Sequence, residues 1–321
     1  MALYLGKNKV TPVGLIGSMK FFFEAGGKCQ GSTATSFEGA LQYEDTANVT
    51  DMGNMFKNCQ NLTTIPLINT SNAIDMNRMF ESCSKLTTVP LFDTSNVTSM
   101  NAMFYDCVNL DTVPLFDTSK VTDMNRMFSN CPNLTTVPLL DTSKVTDMQF
   151  MFYSCQKLTT VPLFDTSNVT NMHCMFYYCY KLTTVPLLDT SNVTDMSSMF
   201  YKCSALTTIP ALNTSNVTSM RDMFHGCKSL TVVPQLDMSK VTDATYMFQE
   251  CNNIEAVHMI NINTRLDLYL DKLTREAIVE VIGNLMPQTG KTETLGLGTN
   301  NLAKLTEEDK KVATDKGWIL E

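Results

Sequence analysis

The chain has 321 residues, a formal net charge of -8 at neutral pH, and only 17% charged residues against 44% apolar ones. This composition can form a buried core and is unlike that of disordered chains. The acidic balance argues against the nucleic-acid-binding class, which needs a basic face to neutralise phosphates. The chain has no run of 18 or more apolar residues, and its first residues lack the apolar core of a secretory signal. The sequence therefore predicts synthesis in a cytosol and no membrane insertion.

Two segments precede the regular part of the chain. The opening "LYLGKNKVTPV" predicts two short strands around a "KN" turn, so residues 1–18 are interpreted as a small β-hairpin and attachment segment. Residues 19–46 are rich in aromatic residues and glycine and run directly into the first repeat. Because a stack of repeats needs an atypical end to cover its terminal core, this segment is predicted to be the N-terminal cap.

A 24-residue repeat, present nine times in residues 47–262, sets the fold class. A Met-Phe pair begins at Met55 and recurs every 24 residues through Met247, and a cysteine follows four residues after each of these methionines. A proline recurs with the same period from Pro66 to Pro234, and no insertion breaks the register. A fixed period of this kind is the signature of a solenoid, in which each repeat packs only on its neighbours.

The first half of each unit predicts a short parallel strand. Leu182, Val185 and Leu187 match the spacing of a leucine-rich repeat and are predicted to face the core. The proline in each strand removes one ladder donor, so the sheet is predicted to be only three or four residues wide and held mainly by the stacked core. A uniformly apolar column follows the strands and is also predicted to face the core: Phe92, Phe116, Leu140, Phe164, Leu188, Leu212 and Leu236.

The second half of each unit predicts a helix of two to three turns. Four apolar residues lie at positions i, i+3, i+4 and i+7, which form one face of a helix: Met196, Met199, Phe200 and Cys203. Thr194 or Asn192 would cap its start. The predicted fold is therefore an α/β solenoid, a right-handed stack of short parallel strands and short helices of the leucine-rich-repeat type, with N- and C-terminal caps.

Residues 263–321 are interpreted as two longer repeats and a cap that close the solenoid. "LTREAIVEVIGNL" predicts an amphipathic helix, and "TLGLGTNNLAKL" repeats the leucine-rich pattern with Asn300 at its asparagine position. Thr306 and Asp309 form an acidic variant of the capping box for a final helix. Gly317 is predicted to end that helix, and Trp318 to cover the last layer.

The cysteines and aspartates that recur with the repeat could bind metal, but structural roles are favoured. The cysteines lie on the apolar face with Met and Phe, and the chain has no C-x-x-C motif. Buried structural thiols are therefore predicted rather than disulfides or a metal site, with Cys29 and Cys174 outside the register. The aspartate of each "DTSN" segment is predicted to accept a local backbone N–H, with a cation between layers as the alternative.

Neither the histidines nor the glycines indicate catalysis. The three histidines are scattered and form no Ser/His/Asp or Cys/His set by spacing. "GLGTNN" at 296–301 lacks the G-x-G-x-x-G spacing of a dinucleotide loop. The sequence therefore predicts a non-enzymatic protein with no cofactor and no metal.

The positions at which the units differ define the candidate contact surface. They lie on the outward side of the predicted helix and on the return after it, and the fixed period predicts that Tyr153, Tyr177 and Tyr201 stack as one column. Tyrosine offers rigid, amphipathic contact area, so recognition is one interpretation, and a structural aromatic ladder is the other. The candidate ligand-contact residues are Tyr105, Phe150, Tyr153, His173, Tyr177, Tyr178, Tyr180, Tyr201 and Tyr246.

The units resemble the BspA-like bacterial surface leucine-rich repeats, in the variant found in mycoplasma-type surface proteins. "DTSNVTDMSSMFYKCSALT" and its copies carry this resemblance over about residues 43–262. The resemblance implies extracellular adhesion or partner binding without catalysis. The tail from "LTREAIVEVIGNL" is similar to a terminal module that follows such repeats in gut-bacterial and phage proteins. The opening "YLGKNKVTP" is similar to short N-terminal segments of phage and prophage structural proteins.

These resemblances favour a phage tail or other virion-surface protein that contacts a host cell-surface protein or glycan, or a mucosal ligand. The N-terminal segment would then contact other virion proteins, and a homo-oligomer is left open. Unlike the cell-surface members, the sequence shows no signal peptide, lipobox cysteine or wall anchor. The alternatives are a bacterial surface adhesin whose export signal is absent here and a purely structural virion or cytosolic scaffold.

Overall fold

A computed structural model describes residues 3–5, 8–10, 27–39 and 41–321 of the protein. The chain forms two compact units, Met1–Leu158 and Thr159–Glu321. Parallel bridges join successive repeats within each unit, and the apolar residues of the repeats form the core of each unit. The predicted leucine-rich-repeat solenoid is therefore confirmed. None of the described helices is long and apolar enough to cross a membrane.

The first unit begins with a two-stranded antiparallel hairpin. Strand β1 (Leu3–Leu5) pairs with β2 (Asn8–Val10), and Leu5 lies opposite Asn8. The predicted hairpin is confirmed for these residues, but Asn8 belongs to the second strand rather than to the turn. The turn residues 6–7 lie outside the described residues. So do 11–26 and Ala40, which include much of the predicted attachment segment and cap.

The described part of segment 19–46 lies against the first repeat. Phe37 is fully buried, and its ring centroid lies 5.2 Å from that of Phe56. The N–H of Cys29 donates to the carbonyl oxygen of Met55 at 2.7 Å. A 3-10 helix, Tyr43–Thr46, then leads into the repeats. These contacts cover the apolar side of the first layer.

The segment predicted to be helical is instead a series of tight turns, so the helix prediction is wrong. In turns 196–199 and 200–203, the N–H of the last residue bonds to the carbonyl oxygen of the first at 3.2 and 3.0 Å. The third residue of each turn, Ser198 or Lys202, has a positive φ of 55° or 56°. Such turns bring residues i, i+3, i+4 and i+7 to one side, as a helix would.

Alternate peptide groups of this turn segment bond to the following repeat. In the second unit, the N–H of Ser198 donates to the carbonyl oxygen of Arg221 at 2.8 Å, and that of Phe200 donates to Met223 at 2.9 Å. The first unit repeats the pattern layer by layer. A helix would satisfy these groups within one repeat. In the turns, alternate N–H groups bond within the repeat and the others donate to the following repeat, so the buried peptide groups still have hydrogen-bond partners.

The strand side is narrower than predicted. Among the described segments of the 24-residue repeats, β3 (Val232–Asp237) pairs in parallel with β4 (Ala256–Ile260), which follows the last of these segments, and the register shifts between Val233 and Leu236, around Pro234. In the other described proline-containing repeats, the backbone hydrogen bonds between equivalent segments are sparser, such as that from the N–H of Thr207 to the carbonyl oxygen of Thr183 at 3.2 Å. Proline has no N–H to donate, so the stacked core contributes most of the cohesion on this side.

Phenylalanine rings form the centre of the core. In the first unit, the rings of Phe56, Phe80, Phe104, Phe128 and Phe152 stack with centroids 5.5–5.8 Å apart. The apolar column predicted to follow the strands is buried in both units, from Phe92 at 2% exposure to Leu236 at 0%. Leu187, in contrast, is 64% exposed, so its predicted core position is wrong.

A column of buried threonine hydroxyls also joins the layers. Oγ1 of Thr94 donates to the carbonyl oxygen of Asp117, and Oγ1 of Thr118 donates to that of Asp141, each at 2.8 Å. In the second unit, Thr190 reaches the carbonyl oxygen of Asn213 at 2.9 Å. The side chain thus satisfies a carbonyl of the following repeat, which accounts for the threonine in every "DTS" or "NTS" segment.

The second unit ends in a three-stranded parallel sheet with three helices. The strands, in spatial order, are β5 (Leu266–Asp267), β6 (Glu293–Gly296) and β7 (Trp318–Leu320). The helices are α1 (Arg275–Gly283), α2 (Gly298–Leu302) and α3 (Glu307–Asp315).

Local signals predicted this terminal region well. The capping box of Thr306 and Asp309 opens α3 as predicted, and Gly317, with φ of 82°, follows it. Trp318 is 2% exposed, and its Nε1 donates to the carbonyl oxygen of Met286 at 2.8 Å. The sequence predicted Asn300 at the asparagine position of the leucine-rich pattern, but the buried residue is Asn301. The Nδ2 of Asn301 donates to two carbonyl oxygens of the preceding repeat.

Candidate functional site

The outward side of the turn segments carries the side chains that differ between repeats. Two residues in each turn segment have left-handed backbone, with φ between 52° and 62° for the non-glycine ones. Three candidate residues occupy these positions: Phe150 (54°), Tyr178 (61°) and Tyr246 (59°). Gly226 takes the same conformation in another repeat, at 73°. Glycine adopts this region without strain, whereas a bulky side chain does so at a cost.

The second unit gathers tyrosines into one cluster. The rings of Tyr177 and Tyr201 stack at 4.3 Å and 5°, which confirms the predicted column for this pair. Tyr178 meets Tyr201 edge-on at 5.6 Å and lies 5.4 Å from Tyr180. His225 continues the stack on Tyr201 at 4.4 Å. The predicted residues Tyr177, Tyr178, Tyr180 and Tyr201 are therefore brought together.

What this cluster presents to solvent follows from its packing. Tyr177 and Tyr201 cover each other's faces, so they present mainly ring edges and hydroxyl groups outward. Tyr180 is 36% exposed, and its partial burial raises the pKa of its phenol above the ordinary value. The ammonium group of Lys202 lies 5.7 Å from the Tyr201 ring. The surface is thus amphipathic, with one cation beside the aromatic rings.

The first unit arranges its candidate residues differently. The ring of Tyr153 lies 5.8 Å from that of Phe150, and the guanidinium of Arg126 lies 4.3 Å over the Phe150 ring. Tyr105 is half-buried, and its carbonyl oxygen accepts from the N–H of Ser82 at 2.7 Å. Aromatic side chains are sparser here, and a cation of the same chain lies over one of them.

His173 takes part in a polar contact that spans two layers. Its Nδ1 lies 2.7 Å from Oγ of Ser197, and its Nε2 lies 3.3 Å from Sγ of Cys174. The pairing of thiol and imidazole has the elements of nucleophilic catalysis. Cys174 is only 5% exposed, however, so its sulfur is closed to a substrate. The arrangement favours a structural role.

A cleft of about 350 Å³ lies in the second unit beside the last 24-residue repeat. Tyr246 and Tyr269 line it and are 48% and 56% exposed, together with the carboxylates of Glu250 and Asp267. Sequence reasoning identified Tyr246 but missed Tyr269, because Tyr269 lies beyond the 24-residue period. A Cβ at Gly296 would lie 2.6 Å from the Tyr269 hydroxyl, so this glycine of "GLGTNN" lets the ring approach the backbone.

The recurring aspartates form local turns, as predicted. Oδ1 of Asp117 accepts from the hydroxyl and N–H of Ser119 at 2.7 and 3.0 Å, and the same pattern recurs at Asp141, Asp165 and Asp189. Asn69 replaces the aspartate in one repeat and accepts the same bonds. Among the described residues, no group of three or more His, Cys, Asp or Glu side chains is placed to hold a metal ion.

These turns predict a pH dependence of stability. The serine hydroxyl, and second the serine N–H, hold the pKa of Asp117 and Asp141 below the ordinary value. A carboxyl group with a lowered pKa in the folded state stabilises it above the unfolded pKa of about 3.9, and this contribution is lost as pH falls through the folded pKa. We expect the Asp117→Asn/Asp141→Asn variant to show a shallower loss of stability below about pH 4 than the wild type.

Urea unfolding measured from pH 7 to pH 2 tests this expectation. The amide keeps the acceptor, as Asn69 does, but removes the titration. Asp111→Asn is the matched control, because it removes an exposed carboxylate outside the turn. This variant should show the same pH profile as the wild type. Identical profiles for the double variant and the wild type would contradict the assignment.

The cysteines are buried, as predicted. Sγ of Cys131 donates to the carbonyl oxygen of Phe104 at 3.1 Å, and the other cysteines of the register make the equivalent bond where it is described. Cys29 and Cys174, outside the register, are also buried. The thiol thus satisfies a carbonyl within an apolar core.

Comparisons with known proteins agree with the repeat. The family model described as "Mycoplasma protein of unknown function, DUF285" matches residues 28–135, 108–185 and 183–265. No curated protein matches the chain.

Several solved structures are similar to the chain. One is a leucine-rich cell surface protein from Faecalibacterium prausnitzii, 20% identical, covering 66% of this chain and 76% of its own, with a TM-score of 0.31. A leucine-rich repeat protein from Bacteroides ovatus is 18% identical, with 84% and 86% coverage and a TM-score of 0.33. One from Eubacterium ventriosum is 16% identical, with 67% and 72% coverage and a TM-score of 0.37.

Proposed function

Because this chain belongs to the family described as "Mycoplasma protein of unknown function, DUF285", the BspA-like repeats that its sequence resembles, we propose that it is a non-catalytic binding solenoid. Its variable, aromatic turn face would contact the partner. The residues of the core and of the aspartate turns are nearly the same in every layer, so they encode the stack. The side chains that differ lie outward on the turn segments, where they are free to encode a partner.

The observation that carries this proposal is the left-handed backbone at Phe150, Tyr178 and Tyr246. A left-handed conformation costs an L-residue roughly 1–2 kcal/mol. Gly226, which occupies the position equivalent to Tyr178 in a later repeat, shows that the stack accepts glycine there. Bulky aromatic side chains are therefore retained there against a local cost in stability. Left-handed backbone recurs in every turn segment, and these three positions differ in carrying a bulky aromatic side chain on it, which is the feature that favours a role in binding.

The chemistry of the surface favours a protein or glycan partner. Tyrosine presents a flat apolar ring and a hydroxyl with little entropy to lose, which suits recognition of mixed polar and apolar surfaces. The resemblance of the opening segment to phage structural proteins supports placing this binding at a virion surface, with a host-surface or mucosal ligand. The cell-surface members of the BspA-like family, which the repeats resemble, support the alternative of a bacterial surface adhesin.

Binding of the purified protein to intact bacterial cells and to immobilised mucin tests the proposal. The informative variant is Tyr180→Ala/Tyr246→Ala, because both side chains are exposed in the second unit and neither contributes to the phenylalanine core. We expect binding at least about tenfold weaker with an unchanged melting curve, since truncation of central aromatic contacts costs 2 kcal/mol or more.

The matched control is Tyr43→Ala, which removes a tyrosine that is 46% exposed in the first unit, away from the turn face. It should bind as the wild type does. Equal binding by all three proteins would reject the aromatic turn face as the contact surface. If the wild type binds neither probe, the structural-scaffold alternative, in which Tyr177 and Tyr201 form a packing ladder, replaces the proposal.

A further inference from the structure

The strand side of the first unit exposes an unbroken column of leucines. Leu67, Leu91, Leu115 and Leu139 occupy the same position in four successive repeats and are 52%, 60%, 61% and 60% exposed. We call these four residues the leucine column. Each is preceded by a proline that is half-buried. Monomeric proteins rarely leave a contiguous apolar patch of several hundred Å² in water, so this column calls for an occupant.

The leucines are exposed because of local geometry and not because the core lacks room. In an extended segment, neighbouring side chains point to opposite sides. Phe92 and Phe116 point inward at 2% exposure each, so Leu91 and Leu115 must point outward. Burying a leucine instead would expose a phenylalanine. The fold can therefore cover these side chains only with another surface.

We propose that the leucine column is a self-association surface, on which a second copy of this chain packs with its own leucine column. The inference does not depend on the proposed function. The column follows the strand segments, whereas the candidate aromatic residues follow the turn segments. Phe92 and Phe80, one from each kind of segment, meet in the core between them with ring centroids 6.0 Å apart.

Periodicity favours a second copy over another partner. The leucines of one copy recur once per layer, at the separation of neighbouring strands, which is about 4.8 Å. A second copy has the same period by identity, so its side chains fit between those of the first in every layer. Paired sheets with identical repeats form dry interfaces in this way. A partner with a different period would match at one or two layers only.

Charge favours the same choice. The chain has a net charge of -8, so most contacts between two copies bring like charges together. The leucine column is uncharged, so two copies can meet there without bringing like charges together. Exposed threonines, such as Thr88 and Thr112, lie on one side of it, and exposed aspartates, such as Asp93 and Asp117, lie on the other.

The two flanks also fix the orientation of the pair. A two-fold axis parallel to the stack places the aspartate flank of one copy over the threonine flank of its partner, where hydroxyl groups can donate to carboxylates. An antiparallel arrangement would place aspartate opposite aspartate. Both arrangements are isologous, as most dimers are, so the pairing of the flanks decides between them.

The size of the patch sets the expected strength. Each leucine leaves about 100 Å² of surface in water, and the flanking prolines and threonines raise the covered area to about 500 Å² per copy, or about 1,000 Å² in total. That total lies at the lower end of specific interfaces, so a weak, concentration-dependent dimer is expected.

Sedimentation velocity of the full chain over a range of about 1 μM to 1 mM tests the proposal. The wild type should shift from monomer to dimer over this range. The Leu91→Gln/Leu115→Gln/Leu139→Gln variant should dimerise at least about tenfold more weakly. Gln235 occupies the equivalent position in a later repeat and is exposed there, so the fold already accommodates glutamine.

Ile74→Gln is the matched control, because Ile74 is 49% exposed in the same unit but lies outside the column. It should dimerise as the wild type does. A wild type that stays monomeric to about 1 mM, or a triple variant that associates as strongly as the wild type, overturns the proposal. Should the triple variant melt at a lower temperature, the single variant Leu115→Gln gives the same comparison with a smaller change.

A second pair of substitutions tests the orientation. Asp93→Asn/Asp117→Asn keeps the acceptors but removes the charges, so in about 0.3 M salt, where the general repulsion between copies is screened, a parallel dimer should weaken slightly or stay unchanged. An antiparallel dimer would instead become tighter, because its facing carboxylates would no longer repel. Tighter association of this variant would therefore overturn the parallel arrangement.

Discussion

Replacing Phe104 with alanine is expected to lower the free energy of unfolding by about 4 kcal/mol. The side chain is fully buried, and its ring lies between those of Phe80 and Phe128 at centroid distances of 5.6 and 5.8 Å. It also contacts Phe116 across the layer at 6.3 Å. The neighbouring rings belong to other repeats with fixed spacing, so they cannot close the cavity, and the loss should reach at least the middle of the usual range of about 3–5 kcal/mol.

Urea unfolding followed by circular dichroism measures this loss. Phe150→Ala is the matched control, because Phe150 is a half-buried phenylalanine on the surface of the same unit. Its replacement should cost less than about 1 kcal/mol. A loss for Phe104→Ala no larger than that for Phe150→Ala would show that the ring stack does not stabilise the unit.

The stack itself could be predicted from the sequence because its determinants are strictly local and repeat. The aspartate turns, the capping box at Thr306 and the buried cysteines each follow from the chemistry of one or two side chains. These features need no knowledge of distant contacts, since a solenoid packs each repeat only on its neighbours. One correct repeat therefore predicts most of the layers.

The turn segment was misread because hydrophobic spacing alone cannot distinguish it from a helix. Positions i, i+3, i+4 and i+7 lie on one side in both conformations. The distinguishing signal lies at the third residue of each turn, where Asn58, Asn130 and Gly226 occur in the same column. Asparagine and glycine are the residues that most readily adopt left-handed backbone, and both are poor helix formers.

The leucine column was missed for a related reason. Leu187 occupies the same repeat position in the second unit. The leucine-rich template assigns both Leu187 and the neighbouring Leu188 to the core, although consecutive residues of an extended segment cannot both face one side. Leu188 is 2% exposed and Leu187 is 64% exposed. The alternation rule would have identified one exposed leucine per repeat from the sequence alone.

The candidate site was predicted only in part. The period placed Tyr177 on Tyr201 correctly, because identical register positions become neighbours in a solenoid. The period could not reveal Tyr269, which lines the same cleft as Tyr246 but lies beyond the 24-residue repeats. The position of its ring also requires a glycine at Gly296, because a Cβ there would collide with it. Contacts between a repeat and a non-repeating segment have no signature in the period.

Thiol chemistry should report on the integrity of every layer. Burial, and second the neighbouring thiols, raise the pKa of Cys107, Cys131, Cys203 and Cys227 well above the ordinary value. Burial raises the pKa of Cys251 to about 12. The thiolate is the reactive form, so these groups stay neutral at pH 8. We expect iodoacetamide to modify them at least about a thousand-fold more slowly in the folded protein than in urea.

Mass spectrometry of peptides after timed labelling measures each cysteine separately. Thr112→Cys supplies the matched control, because residue 112 is exposed in a layer of the first unit. Its thiol should react in the folded protein at about the rate of a free cysteine. Since modification of a buried thiol requires opening of its layer, graded rates along a unit would give the local opening free energies. Fast modification of Cys107 or Cys131 in the folded protein would contradict their placement in the core.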